Sequence, residues 1–109
     1  MKGKKTEKDE RREDLQRIFE DVDPGERVLV DQLIREVCFL EERMEELRMQ
    51  PFIVHHPTRP GITKSTPAAK QYKECSQSYM NAVRILLNIL RKTQTDAQDE
   101  LLRRLEEFR

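Results

Sequence analysis

Few residues in this chain are of types that do chemistry, and their spacing limits what they can do. The two histidines, His55 and His56, stand side by side. Imidazole binds zinc and shuttles protons, but a zinc site needs about four ligands, and no Cys, Asp or Glu accompanies this pair locally. Cys38 and Cys75 lie at helical core spacing rather than metal-ligand spacing. They read as small buried hydrophobes, kept reduced in an intracellular setting. Gly3, Gly25 and Gly61 are isolated, so no phosphate-cradling loop is present. No serine, cysteine and histidine set offers a nucleophile. The acids sit in helical charge runs such as EERMEEL, where solvation accounts for them. The expectation is therefore no enzyme, no cofactor and no metal, but a binding or assembly module.

The elements that carry these residues are helical. From Asp23 to Arg48 apolar residues fall at Val30, Leu33, Val37, Leu40, Met44 and Leu47, in alternating steps of three and four. That is the period of a helix whose seam faces another helix. Asp23-Pro24-Gly25-Glu26 supplies a cap, a first-turn proline and a capping-box acid. A helix from residue 24 to about 50 has no internal proline before Pro51 and would be about 37 Å long. Thr66-Pro67-Ala68-Ala69 starts a second long helix, with a seam at Tyr72, Cys75, Tyr79, Ala82, Leu86 and Ile89. Met80, Val83, Leu87 and Leu90 form another stripe beside it. Leu29, Ile34 and Phe39 fall off the first seam, and a two-helix contact cannot cover them. Some of them must meet the first short helix, and the rest are where assembly is expected to show.

Short helices are expected at about 10–22, along Leu15, Ile18, Phe19 and Val22, and at 96–108, along Leu101, Leu102, Leu105 and Phe108. Thr95 and Gln98 read as a capping box for the latter, with Arg103, Arg104, Glu106 and Glu107 on its solvated face. Residues 1–9 read as a flexible basic tail, and 10–109 as one domain with helices near 10–22, 24–50, 67–92 and 96–108. In the connection 51–66, Phe52 to His56 favours β-structure and Pro57 and Pro60-Gly61 favour turns, so Ile62 to Lys64 suits a returning strand. Spacing does not choose between a small β-hairpin and an ordered loop. The expected fold is all-α: a long antiparallel helical hairpin with short flanking helices and one of these two forms at its tip, assembling as an oligomer.

Charge is balanced in total, with 21 Lys and Arg against 21 Asp and Glu, but it is segregated along the chain. Residues 1–12 hold six bases against three acids, and residues 13–46 hold twelve acids against four bases. From Leu47 to Lys73 there is no acid, with Arg48, Arg59, Lys64, Lys70 and Lys73 present. Lys2, Lys4, Lys5, Lys8, Arg11, Arg12, Arg59 and Lys64 are the candidate contacts to DNA phosphate, and such contacts weaken with salt. No recognition helix with base-reading residues is evident. The acidic first long helix would repel DNA. Nothing approaches a run of about 18 apolar residues, and no signal peptide is apparent, so membrane insertion or secretion is not expected.

The capped helix, the basic loop and TPAAKQYKECSQSYMNAVRILLNIL together resemble the short small subunits of tailed-phage terminases, over about residues 15–95. Asp31 and Val37-Cys38 occupy the family's first-helix positions, and Tyr72, Tyr79 and Leu86 fit its second helix. Thr66-Pro67 stands where Asn-Pro is usual, and Phe19 where a Trp is frequent. Asp23-Pro24-Gly25 replaces the glycine-leucine-threonine lead-in, and Thr93 to Arg104 matches the Arg-containing tail only loosely. The resemblance implies a non-enzymatic protein of the bacterial cytoplasm that forms homo-oligomers, often rings. It implies engagement of double-stranded viral DNA and recruitment of the terminase large subunit for genome packaging. Two rival readings remain: a helical scaffold or adaptor that binds only protein, and a dimeric nucleic-acid binder unrelated to packaging.

Overall fold

A computed structural model describes residues 6–55, 57–59, 61–93 and 95–108. Lys2, Lys4, Lys5, His56 and Pro60 lie outside the described residues, as does the side chain of Thr95 and hence its cap reading. The described residues form an all-α fold with one short β-hairpin, in the order α1 (Glu7–Ile18), α2 (Pro24–Arg48), β1 (Ile53–His55), β2 (Thr63–Ser65), α3 (Pro67–Arg91) and α4 (Thr95–Glu106).

α1 starts earlier and stops sooner than apolar spacing predicts. The Thr6 hydroxyl accepts from the Asp9 amide at 3.2 Å, and the Thr6 amide donates to the Asp9 carboxylate at 3.3 Å. This capping box is wholly polar, so a reading led by apolar periodicity placed Thr6 to Asp9 in a tail. At the other end the Phe19 amide bonds the Gln16 carbonyl and the Val22 amide bonds the Phe19 carbonyl, which turns the chain. The Arg27 guanidinium donates to the Phe19 carbonyl at 3.5 Å and also to the Glu20 carbonyl, satisfying acceptors the helix leaves behind. Phe19 and Val22 remain buried.

Asp23 caps α2 by accepting from the Gly25 amide at 3.5 Å. Glu26 does not close a capping box there; its carboxylate stands 3.6 Å from the Lys92 ammonium at the end of α3. Thr66 both caps α3, accepting from the Ala69 amide at 3.2 Å, and donates its hydroxyl to the Pro51 carbonyl at 2.7 Å. One threonine therefore fixes the start of α3 to the end of α2. The tip is a β-hairpin: Ile53 pairs with Ser65, Val54 with Lys64 and His55 with Thr63, antiparallel. Gly61, at φ 88°, takes the turn conformation that L side chains avoid.

The two 25-residue helices pack antiparallel, each about 37 Å long. The 12-residue helices α1 and α4 reach only about 18 Å and cover the half of the hairpin away from the tip. There the four helices share one core: Leu15, Phe19 and Val22 with Val30, Ile34 and Val37 of α2, Val83, Leu86 and Leu90 of α3, and Leu101 of α4. Towards the tip the interior narrows to a two-helix seam in which Leu40, Met44, Leu47 and Ala68 are buried. Among the described residues no helix is long and apolar enough to cross a membrane.

The residues expected at an interface or in the packing divide by burial. Ile34 is wholly buried in the chain's own core, because α1 and α4 cover that side of α2. Leu29 and Phe39 are exposed, since no element of the chain lies over them. Met80 is exposed. Leu33, Leu87 and Tyr79 are partly buried against the core. On α4, Leu101 points inward while Leu102 is exposed. Cys38 and Cys75 are free and half-buried rather than fully enclosed.

Candidate interaction surfaces

The tip and the N-terminal half of α1 divide the candidate phosphate contacts between them, with different outcomes. On α1 the bases are engaged within the chain. Lys8 pairs with Glu42, which raises its pKa chiefly through their hydrogen bond. Arg12 stands 3.6 Å from Asp9. Arg11 lies flat against Glu41, its Nε and Nη2 donating to the two carboxylate oxygens at 2.6 and 2.7 Å.

Glu41 is the residue that sequence reasoning missed. It is 5% exposed and is the buried charged side chain among the described residues. Its Oε2 also accepts from the Tyr79 hydroxyl at 2.7 Å, and Arg11 donates onward to the Arg104 carbonyl at 3.3 Å. One side chain or carbonyl from each of the four helices therefore meets at Glu41 or its arginine. Burial, then the bond to Glu41, pushes the Tyr79 phenol well above its ordinary pKa. Burial likewise pushes the Cys38 thiol up. A carboxylate so paired is neither a free base nor a metal ligand. Among the described residues no group of three His, Cys, Asp or Glu could hold a metal ion.

The tip is built otherwise. Phe52 packs on Tyr72 at 5.3 Å between ring centroids, and Arg48 donates to the Tyr72 hydroxyl at 2.8 and 3.0 Å. Arg48 also lies over the ring of Phe108, tying the chain past α4 to the tip half. These contacts fix the root of the β-hairpin, while its strands stay exposed along their whole length, with His55 and Lys64 on them. Arg59 in the connecting turn and Lys70 and Lys73 on the first turns of α3 are exposed too. The acid-free run of sequence thus becomes one end of an elongated molecule, 59 × 39 × 21 Å.

No family model, curated protein or solved structure matches the chain.

A second surface lies beside α1. A shallow cleft of about 560 Å³ opens between α1, α2 and the end of α4, with Arg12, Arg35, Cys38, Phe39, Glu45 and Phe108 among its lining. Its charges are of both signs, and exposed Phe39 stands in it. A mixed-charge cleft holding an exposed aromatic ring suits a protein surface better than a small polar substrate.

Proposed function

We propose that this chain is a non-catalytic assembly module that self-associates through its helices and offers its acid-free tip to duplex DNA. On this reading it acts as a terminase small subunit, handing viral DNA to the large subunit in the bacterial cytoplasm. The observation that carries the proposal is the placing of Lys64, Lys70 and Lys73 with the β-hairpin at the end that α1 and α4 leave uncovered. Phosphate neutralisation by such a group needs no base-specific readout. The likeness of Thr66-Pro67, Tyr72, Tyr79 and Leu86 to the terminase pattern supplies the packaging role.

One observation favours the protein-only scaffold as the second reading: Lys8, Arg11 and Arg12 are spent on the chain's own acids. Duplex-DNA affinity measured against salt separates the two. The proposal expects binding at low salt, with a salt slope that each of Lys64→Ala, Lys70→Ala and Lys73→Ala lowers by about one, because each removes a cation that neutralises phosphate. Removing residues 1–5 alone reports on Lys2, Lys4 and Lys5. Absent binding, or binding indifferent to the three tip lysines, overturns the DNA role of the tip.

A further inference from the structure

α2 has a second stripe that its own chain leaves largely exposed. Val28, Phe39 and Met49 are 66%, 60% and 87% exposed. Between them Gln32, Arg35, Glu42 and Glu46 fill the positions at alternating steps of four and three, the spacing of a helix–helix seam. Gln32, Arg35 and Glu46 are exposed, and Glu42 is half-exposed.

The stripe is nearly inverted about Phe39. Gln32 lies seven residues before it and Glu46 seven after; Arg35 lies four before and Glu42 three after; Val28 lies eleven before and Met49 ten after. We infer that the occupant of this face is a second copy of the chain, its α2 laid antiparallel with Phe39 against Phe39. In that register Arg35 of each copy meets Glu42 of the other, Gln32 meets Glu46, and Val28 meets Met49 at both ends. By symmetry each of these three pairs occurs twice, while the Phe39 pair lies on the axis. The parallel alignment is disfavoured, since it sets Arg35 on Arg35, Glu42 on Glu42 and Glu46 on Glu46. Charge complementarity thus selects both the partner and its direction. The cleft beside Phe39 gives the ring of the second copy room to enter. Glu42 already pairs with Lys8, whose ammonium is well exposed, so the carboxylate remains reachable by a second cation.

This inference rests on the self-association in the proposed function and says which face performs it. The full chain is followed by sedimentation equilibrium across the micromolar range, with circular dichroism as the control for folding. Arg35→Glu turns two attractive pairs into two repulsive ones and is expected to weaken association about tenfold. Glu42→Arg alone does the same, and the double variant Arg35→Glu with Glu42→Arg restores association. Phe39→Asp abolishes it with the helical signal unchanged. Direction is read in a Cys38→Ser, Cys75→Ser background: Gln32→Cys mixed with Glu46→Cys forms a disulfide-linked dimer, whereas Gln32→Cys alone does not. Association that ignores Phe39→Asp and both charge reversals overturns the inference while leaving self-association through another face standing. Cross-linking of Gln32→Cys to itself overturns the antiparallel register. A chain monomeric throughout the range overturns both the inference and the self-association in the proposed function.

Discussion

The two halves of the molecule are held by different means. Away from the tip, four helices enclose a core in which Phe19, Leu15, Ile34, Leu86 and Leu101 are almost wholly withdrawn from water. At the tip, two helices share a narrow seam, and the β-hairpin beyond it buries neither strand. A two-stranded hairpin has little stability of its own, so this one depends on its root: Thr66 on Pro51, Phe52 on Tyr72, and Tyr72 under Arg48. Selection for folding and selection for binding can therefore act apart in the two halves. Substitutions in the buried core of the four-helix half should be read as changes of stability, and those on the exposed strands of the tip as changes of surface.

The sharpest way to break that division is to place the same charge in each half. Leu86→Asp buries a carboxylate with no partner, at a cost of several kcal/mol, against a total stability of about 5–15 kcal/mol for a domain. It is expected to unfold the chain, as thermal denaturation followed by circular dichroism will report. Ile53→Asp makes the same chemical change on an exposed strand and should shift stability by no more than about 0.5 kcal/mol. Similar losses at both positions would mean that the tip is part of the core and that the two halves are one.

A smaller effect tests what closes the four-helix half. Glu41→Ala leaves Arg11, whose side chain is 24% exposed, without its carboxylate and frees the Tyr79 hydroxyl. Breaking a buried pair in this way should cost about 2–4 kcal/mol, somewhat softened by the water that reaches Arg11. The triple variant Arg11→Met, Glu41→Leu, Tyr79→Phe should recover most of that loss in chemical denaturation, because it leaves no polar group stranded. If Glu41→Ala is as stable as the parent, the hub is an ornament on a core that apolar packing already fixes.

That hub also marks what could and could not be read from the chain. The long helices were legible because their caps are local: Asp23-Pro24 and Thr66-Pro67 start α2 and α3 where their types require. The seam at Val30, Val37, Met44 and Leu47 follows from spacing alone. Glu41 was not legible, because one acid in EERMEEL looks like any other until the direction of α1 is known. The available signal was its register: Ile34 and Glu41 repeat at seven residues beside Val30, Val37 and Met44, a widened face that only a third helix would cover. The choice between β-hairpin and loop was likewise undetermined, since it turns on the Thr66–Pro51 tether, a contact fifteen residues apart. The pairing of Lys8 and Arg11 on α1 was hidden for the same reason. Pairing with Glu41 and Glu42 depends on tertiary approach, which composition does not contain.

The smallest expected effect uses the two tyrosines, one in each half. Tyr79 is partly buried, and burial together with its bond to Glu41 holds its phenol above the ordinary value of about 10. A folded pKa raised in this way means that the contribution of Tyr79 is fully present below about pH 10 and is lost as pH climbs through that value, where the unfolded chain ionises more readily. Denaturation midpoints should therefore fall as pH rises above about 10, and Tyr79→Phe should flatten part of that fall. At neutral pH the same variant should lose about 1 kcal/mol, the worth of one hydrogen bond, with Arg11 still holding Glu41. Tyr72→Phe is the control, since its hydroxyl accepts from Arg48 near the tip and touches nothing in the hub. An alkaline fall that Tyr72→Phe removes and Tyr79→Phe leaves intact would place the pH-sensitive closure at the tip and reverse the assignment of the two halves.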